Sequence, residues 1–501
     1  MIKLIYRIES DYMSKKRMLI VTSVTLSVVT ISLGIVKLYQ TYALSNYIGT
    51  VTDTGIDVYI NDDSYASIPA NGSSNVYYML TNTNPGTVKY GVAYQTTSGV
   101  TVKVYDTSED PATGTIEEND KKYIKLHLEN KNSTNKTIEL STVLGYENGG
   151  DLVVPSGVTL VTDTYTPPPT AAEYITKLYT TASKTTVTNN SITYNTAPSV
   201  SLMNDRLGGT TTDLDGGNIR YYGASPNNYI YFNCSDYSNQ TSSTCETWRI
   251  IGVFDGKLKL IRGSQIGKYS WDNKNTSTGA EDNYGKNDWT TARLMKLLNP
   301  RDYYKVDSND NNLGQSLYYN SASGKCYIGQ NNATVDCDFT STGIKNDETR
   351  NMIAETTYYL GGWNSYSVYP NEIYEYERGT TVYTGRPPTW PGKIALAYPS
   401  DYGYAADLNQ CKDKTLYYYD NSTCTSNNWM KAILGTSSHG WLLTPYSGHS
   451  YYAWHVRSGG NVYSYLAYGA YGAVPVLSLS SELGIESGGD GSSSNPYKLS
   501  A

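Results

Sequence analysis

Apolar and polar residues alternate in seven short segments between residues 46 and 163. Side chains of a strand point alternately to opposite faces, so this pattern is typical of strands with one buried face. Turns rich in Asn, Gly, Pro and Ser separate the segments at the spacing of a sandwich. The pattern therefore predicts an all-β immunoglobulin-like sandwich over 46–163. The predicted strands are Ile56–Ile60, Ser74–Leu80, Thr87–Val92, Val100–Tyr105, Tyr123–Leu128, Thr137–Leu140 and Leu152–Val154.

Two polar features of this region are interpreted as structural. His127 lies in an alternating strand with polar neighbours, which predicts a solvent-facing histidine rather than a ligand. The acidic stretch Asp106–Asp120 is interpreted as a solvated loop, with a calcium site as the minor alternative.

An apolar run without charge extends from Met18 to Val36, directly after Lys15, Lys16 and Arg17. A run of this length can cross a bilayer as a helix, and basic residues on its N-terminal side place the remainder outside. We therefore expect a cytoplasmic stub over 1–17, an anchor over 18–44 and a single-pass protein of the cell membrane that is mostly extracellular. A cleavable signal over 18–44 is the alternative. Met13 offers a second translation start.

After residue 163 the pattern changes. Three prolines, Pro167–Pro169, predict a stiff extended linker over 164–170. Thr170 and Glu173 have the spacing of a capping box, and an amphipathic helix is predicted to follow as far as about Ala182.

Helical and strand patterns mix in the remaining chain, which predicts an α+β domain over 171–501. The polar stretch Asn189–Asp215 is expected to be a loop. Asp288 is placed to cap a helix over Trp289–Leu298, and a second helix is predicted over Glu348–Leu360. Strands are predicted at Tyr229–Phe232, Trp248–Phe254, Leu258–Arg262 and Lys393–Tyr398, with a short helix at Asn427–Leu434.

A hairpin pattern lies between two apolar segments within Trp441–Leu479. Ala453–Arg457 alternates, Ser458–Asn461 has the composition of a turn, and Val462–Tyr465 returns. Alternation would aim Trp454 and Val456 oppositely to the face that carries His455 and Arg457.

Tyrosines recur around this hairpin among Ser, Gly, Asn and His, a mixture that antibody-like binding surfaces favour. Tyrosine covers much area, carries a polar tip and has few rotamers to freeze on binding. We interpret the region as a ligand-binding surface, and an outer strand face without a ligand is the alternative. The candidate binding residues are Tyr446, Ser447, His449, Tyr451, Tyr452, His455, Arg457, Tyr463, Tyr465, Tyr468 and Tyr471.

Composition and charge narrow the class of partner. The 501 residues include 51 Tyr but only 3 Phe, which predicts that much aromatic area lies where a hydroxyl can reach water. The formal net charge is −7, and no basic cluster occurs outside the N-terminus. This argues against nucleic acid as a partner.

The hairpin region also resembles a known family. The sequence WLLTP at Trp441–Pro445, the Tyr-rich hairpin and the closing YGAVPVLSL at Tyr471–Leu479 are similar to the C-terminal end of C-type-lectin-like domains with the formylglycine-generating-enzyme fold. Retroelement-diversified variable proteins share that fold. Other segments resemble a family of uncharacterised surface proteins of gut Gram-positive bacteria, and the resemblance covers about Ala171 to Leu499. Those segments are Asn227–Phe232, Trp248–Ile251, Leu294–Pro300 and Gly392–Ala405.

The resemblance implies a C-type-lectin-like α+β domain over 171–501, but it does not carry over every feature of the family. The arginine of the family's closing Y-G-V-R-P pattern is Val474 here, so the contacts of that arginine are not implied. The formylglycine-generating enzymes use cysteines late in the domain, whereas this chain has none after Cys424. The Glu-Pro-Asn and Trp-Asn-Asp signatures of calcium lectins are missing as well.

Six cysteines lie in the predicted α+β domain. An even number in an exported chain implies disulfides, and although six cysteines allow about 15 pairings, the close-set pairs favour local bridges. The predicted bridges are Cys234–Cys245, Cys326–Cys337 and Cys411–Cys424.

Signals for catalysis are sparse. The chain has no Gly-rich phosphate loop and no G-x-S-x-G motif, and His439, His449 and His455 favour recognition over metal binding. We therefore predict no catalytic residue, metal or cofactor. A glycan-active enzyme is one alternative, with Glu372, Glu375 and Glu377 as candidate carboxylates, spaced like a polar strand face. A structural surface-layer or pilus-associated protein is another.

These features together predict a cell-surface ligand-binding protein of the adhesin or receptor type. Its expected partner is an extracellular protein or glycan, and its expected contact with the membrane is the N-terminal helix.

Overall fold

The computed structural model describes residues 44–52, 55–57, 65–82, 86–145, 152, 154–207, 213–273, 284–305, 313–330 and 332–500. The chain divides into two compact units, Met1–Tyr165 and Thr166–Ala501, and the division falls within the stretch predicted as a linker. The predicted stub and all of the predicted anchor before Leu44 lie outside the described residues. No helix in the described ranges is long and apolar enough to cross a bilayer.

The first unit is built from strands. Six of them form one sheet in the order β11-β6-β8-β4-β1-β2, and a second sheet has the order β10-β5-β9-β3, with β7 paired to β5. The strands are β1 Leu44–Thr52, β2 Gly55–Asp57, β3 Tyr65–Ile68, β4 Gly72–Asn82, β5 Val88–Gln95, β6 Val100–Tyr105, β7 Thr113–Ile116, β8 Lys121–Asn130, β9 Lys136–Gly145, β10 Val158–Leu160 and β11 Thr164–Tyr165.

Alternation explains the core of this unit. On β4, Val76, Tyr78 and Leu80 are buried, and they share one hydrophobic cluster with Val92 of β5 and Leu140 of β9. Because these strands belong to different sheets, the cluster lies between two layers, as expected for a sandwich.

Two predictions for this unit are wrong in detail. Leu152 and Val154 do not lie in the strand predicted there; the chain instead pairs with β5 through β10, where Leu160 lies opposite Ala93. His127 is buried rather than solvent-facing, because its ring stacks on Tyr165 with a centroid distance of 3.6 Å and its Nδ1 lies 2.8 Å from Asn75 Oδ1.

The second unit contains the remaining strands and all of the described helices. Its main sheet has nine strands in the order β12-β13-β14-β15-β17-β18-β29-β24, with β16 paired to β17, and a five-stranded sheet has the order β19-β28-β25-β26-β27. The strands are β12 Thr185–Asn189, β13 Ile192–Ala197, β14 Leu202–Asn204, β15 Ile219–Tyr221, β16 Tyr229–Phe232, β17 Glu246–Phe254, β18 Lys257–Arg262, β19 Lys268–Tyr269, β20 Ser323–Tyr327, β21 Thr334–Asp338, β22 Thr356–Tyr359, β23 Thr389–Gly392, β24 Ile394–Ala395, β25 Gly440–Pro445, β26 Tyr452–Val456, β27 Val462–Leu466, β28 Tyr471–Gly472, β29 Val476–Ser478, β30 Gly484–Ile485 and β31 Leu499–Ser500.

The helices of this unit are short. They are α1 Ala171–Thr181, α2 Arg293–Leu298, α3 Asp347–Met352, α4 Pro370–Arg378, α5 Pro399–Tyr404, α6 Ser422–Ser426 and α7 Lys431–Leu434. Short 3-10 turns occur at Pro198–Val200, Tyr237–Asn239, Trp289–Thr291, Arg301–Tyr303 and Leu416–Tyr418. The described protein is thus rich in β-sheet with few helices.

The helix predictions have mixed outcomes. The capping box of α1 is confirmed, since Thr170 and Glu173 exchange side-chain and backbone hydrogen bonds. Asp288 caps a 3-10 turn, and the α-helical part begins only at Arg293. The helix predicted over Glu348–Leu360 ends at Met352, and the rest of that stretch contains β22.

The loop predicted over Asn189–Asp215 is also wrong. About a third of this stretch lies in β13 and β14, two strands of the main sheet, where Tyr194, Ala197 and Leu202 are buried. Thr193, Asn195, Thr196 and Asn204 give these strands a polar composition, although Thr196 and Asn204 are buried, which explains why the sequence resembles a loop.

The three predicted disulfides are confirmed. They join Cys234 to Cys245, Cys326 to Cys337 and Cys411 to Cys424, and no described cysteine is free. Each bridge closes a loop of fewer than fifteen residues, so each restrains a local segment rather than joining distant elements.

Many tyrosines are buried, although the composition predicts that much aromatic area lies where a hydroxyl can reach water. Tyr398 and Tyr402 are examples. The Tyr402 hydroxyl donates to Gly460 O at 2.6 Å, and the Tyr398 hydroxyl accepts from Tyr359 N at 2.7 Å and donates to Tyr359 O at 3.1 Å. A backbone partner satisfies the hydroxyl in the core, so tyrosine fills space that phenylalanine occupies in other proteins.

Candidate functional site

The predicted hairpin forms as β26 and β27, at one edge of the five-stranded sheet. The register pairs Trp454 with Ser464 and His455 with Tyr463. Directly paired residues point to the same face, so Trp454 and Val456 share one face with Val462, and His455 shares the other face with Tyr463 and Tyr465.

The first of these faces belongs to the core. Trp454, Val456 and Val462 are fully buried in a cluster with Leu442 and Ile373. The prediction that Trp454 and Val456 are core residues is confirmed.

The second face carries the tyrosines. Tyr465 is 38% exposed, and Tyr463 and Tyr471 are half-buried. The Tyr465 ring lies 5.2 Å from the Tyr471 ring and 6.4 Å from the Tyr468 ring, between centroids. Arg457 is exposed, and its guanidinium lies 4.8 Å from the Tyr463 ring centroid. These residues form one continuous surface.

His455, which is predicted as a ligand-binding residue, lies on this face but is only 2% exposed. Alternation gave the right face, but Trp441 and Tyr471 from neighbouring strands cover the ring, at centroid distances of 5.9 and 4.8 Å. Burial, followed by the charges of His439 and Arg457, lowers the pKa of His455 to about 3. His455 is therefore a neutral ring beneath the tyrosine surface.

Tyr446, Ser447, His449 and Tyr451 lie at the end of β25 or in the loop between β25 and β26, and Tyr452 is the first residue of β26. Asn287 supports this loop, because its Nδ2 lies within hydrogen-bond distance of the carbonyl oxygens of Tyr446, His449 and Tyr452, at 3.1, 2.7 and 2.9 Å. Its backbone N–H donates to Ser450 O at 2.8 Å. The loop is therefore anchored through its backbone, and its candidate side chains are exposed or half-buried.

The loop side chains pack on one another. The rings of His449, Tyr451 and Tyr452 have centroid distances between 5.0 and 5.7 Å, and His449 itself is exposed. Tyr446 lies 5.9 Å from His449, and the Ser447 N–H donates to Trp363 O at 3.2 Å. The four candidate residues of the loop and Tyr452 of β26 are thus together in one place.

Two tyrosines that sequence reasoning missed join the loop to the strand face. Tyr284 lies 4.9 Å from Tyr451 and 6.3 Å from Tyr468, between ring centroids. Tyr366 stacks on Tyr463 at 4.3 Å and lies 5.4 Å from Tyr446. Through these two rings, the predicted candidate residues form one aromatic surface, which we call the tyrosine surface.

Two further missed residues extend it. Tyr417 and Tyr418 are 37% and 55% exposed, and Tyr417 lies 6.2 Å from the Tyr463 ring. They belong to the 3-10 turn within the loop that the Cys411–Cys424 bridge closes. The run of three tyrosines inside a predicted disulfide loop was the sequence signal that could have identified them.

The carboxylates considered for catalysis lie on α4, not on a strand. Glu372 Oε2 accepts from Tyr369 N at 2.9 Å, and the buried Glu377 accepts from Ser400 N at 2.9 Å and from Ser400 Oγ at 2.5 Å. Burial raises the pKa of Glu377 to about 7. Of these three carboxylates only Glu375 is exposed, so no two of them form an exposed catalytic pair.

Across the described part of the chain, no group of three or more His, Cys, Asp or Glu side chains could hold a metal ion. Comparisons with known families and proteins give no assignment: no family model matches the chain, and no curated protein matches it significantly.

Proposed function

We propose that this chain is an exported, membrane-anchored binding protein of the adhesin or receptor type. Its second unit would be a C-type-lectin-like domain that presents the tyrosine surface, and its first unit an immunoglobulin-like spacer. The observation that carries the proposal is the continuity of the tyrosine surface, which joins a hairpin, an anchored loop and a disulfide-closed loop through ring contacts.

The physical support lies in how these rings are held. Binding energy concentrates in aromatic anchors that lose little conformational freedom when a ligand arrives. Tyr366 illustrates this restraint, because its hydroxyl lies 2.7 Å from Ser464 Oγ while its ring stacks on Tyr463. A surface of rings already fixed in place suits recognition better than a set of mobile side chains would.

The experiment is a ligand screen with the purified full-length chain against a glycan array and intact host and bacterial cells. The control is a variant in which Tyr463, Tyr465 and Tyr468 are all replaced by Ala. We expect at least one ligand to bind the parent. The variant should bind that ligand at least about tenfold more weakly, a loss of roughly 1.4 kcal/mol in binding free energy. Equal binding by both proteins, with the variant folded, would contradict the proposal.

A further inference from the structure

One end of the tyrosine surface is positively charged, although the chain as a whole has a net charge of −7. Arg457 follows β26, and Lys268 lies on β19 at the far edge of the same sheet. Both side chains are exposed, and neither forms an ion pair with a carboxylate of the described residues. In an acidic protein, two unpaired cations near one surface favour an anionic ligand.

His439 lies beside the rings of the tyrosine surface, and the charges of both cations act on it. Its ring is 5.0 Å from the Tyr471 ring and 5.7 Å from the His455 ring, between centroids. Its Nδ1 accepts the Ser458 N–H at 2.9 Å, so in the neutral ring the proton is on Nε2. That N–H is a donor of fixed orientation next to two positive charges.

The backbone at His439 is also unusual. Its φ is +54°, in the left-handed region that non-glycine residues rarely adopt. The Gln265 side chain holds the peptide there by donating to His439 O at 2.6 Å.

A second, independent observation concerns His455, which lies beneath the tyrosine surface. His455 is almost fully buried, yet its Nδ1 has no hydrogen-bond partner in the described part of the chain. An unpaired buried polar atom destabilises the folded state, so an apolar residue of the same size would pack here more favourably. A polar ring at this place therefore points to a role at the site.

Nearby positive charge lowers the pKa of both histidines. Burial, and then the charges of Arg457 and Lys268, lower the pKa of His439. Burial, followed by the charges of His439 and Arg457, also lowers the pKa of His455. A bound anion would offset this concentration of positive charge and raise the pKa of His439.

We propose that Arg457, Lys268 and His439 form a subsite for the carboxylate of an acidic glycan, whose sugar rings pack on Tyr465 and Tyr471. This rests on the proposed binding function and specifies its ligand class. A guanidinium binds a carboxylate through two parallel hydrogen bonds, and a tyrosine ring offers apolar area to the C–H face of a sugar while its hydroxyl stays in water.

The geometry disfavours a peptide in strand form. Such peptides add to an open sheet edge, where backbone groups are available. Side chains of another segment lie beside the edge at β27, since Tyr366 stacks on Tyr463 and its hydroxyl lies 2.7 Å from Ser464 Oγ. Tyr417 of the disulfide-closed loop lies beside the same strand.

The test uses the full-length chain with three probes: trigalacturonate, its fully methyl-esterified form, and triglutamate. The ester keeps the sugar skeleton but removes its charge, and triglutamate keeps the charge without a sugar. We expect trigalacturonate to bind at least ten times more tightly than either, with an affinity that falls as salt concentration rises. NMR titration should show that trigalacturonate raises the pKa of His439.

The variant Arg457→Gln with Lys268→Gln should remove this preference. A matched control, Arg301→Gln with Lys305→Gln, changes two exposed cations elsewhere on the same unit and should bind as the parent does. Equal binding of acid and ester, equal binding of triglutamate, or no binding of trigalacturonate would each overturn the subsite. A ligand from the screen that needs Tyr465 but not Arg457 and Lys268 would overturn it while leaving the proposed function intact.

Discussion

Replacement of His455 by Leu should change how the stability of the second unit depends on pH. In the folded protein the pKa of His455 falls from 6.5 to about 3. Burial of the ring is the main cause, and the charges of His439 and Arg457 add to it. A neutral folded histidine that can gain a proton on unfolding stabilises the protein above pH 6.5, and this stability is lost as pH falls below that value.

The magnitude follows from the two pKa values. Between pH 8 and pH 5, the unfolded histidine gains its proton while the folded ring stays neutral, which costs about 2 kcal/mol of folding free energy. Leu cannot titrate, so the free energy of unfolding of His455→Leu relative to the parent should rise by this amount on acidification. At pH 8 the variant should be as stable as the parent or more so, because it removes an unpaired Nδ1.

Urea unfolding followed by tryptophan fluorescence measures this directly. All 8 tryptophans lie in the second unit, between Trp248 and Trp454, so the signal reports that unit alone. His449→Leu is the matched control at an exposed histidine of the neighbouring loop, and it should reproduce the pH dependence of the parent. If His455→Leu also keeps the parental pH dependence, the burial argument for His455 is refuted.

Three further predictions concern stability and redox state. Trp454→Ala should lower the free energy of unfolding by about 3 to 5 kcal/mol, since the ring is fully buried; a loss below 1 kcal/mol would show that it is not a core residue. Non-reducing peptide mapping of host-exported protein should recover only Cys234–Cys245, Cys326–Cys337 and Cys411–Cys424, and a free thiol at any of them would contradict the assignment. Between pH 4 and pH 9, the free energy of unfolding of Glu377→Gln should rise by about 3 kcal/mol relative to that of the parent. The pKa of Glu377 is about 7 in the folded protein and 4.5 in the unfolded chain, so the parent loses stability as pH rises. Equal changes with pH in the unfolding free energies of parent and variant would refute this.

Local patterns carried most of the successful predictions. Strict alternation and a Gly-Gly turn specify the hairpin at Trp454 and Tyr463, and cysteine spacing specifies three local bridges. The helix predicted beyond Met352 failed because tertiary pairing decides that stretch: Tyr358 pairs with Trp390, about thirty residues away. Periodicity alone cannot distinguish these outcomes in a short apolar segment.

The candidate site shows the same limit. Alternation placed His455 on the correct face, but its burial depends on Trp441 and Tyr471 from other strands. Tyr284 and Tyr366 enter the tyrosine surface only through tertiary contacts, from positions far from the hairpin in sequence. Sequence reasoning therefore identified the centre of the surface and missed part of its rim.

The most direct test of the central claim compares two pairs of exposed tyrosines. Tyr418 and Tyr465, 55% and 38% exposed, lie on the tyrosine surface, whereas Tyr65 and Tyr123, 43% and 36% exposed, lie on the first unit. Each pair is replaced by Ala in the full-length chain, and affinity is measured for a ligand from the screen. We expect at least tenfold weaker binding for the Tyr418 and Tyr465 variant and parental binding for the other. Parental affinity in the first variant, or an equal loss in both, would contradict the account.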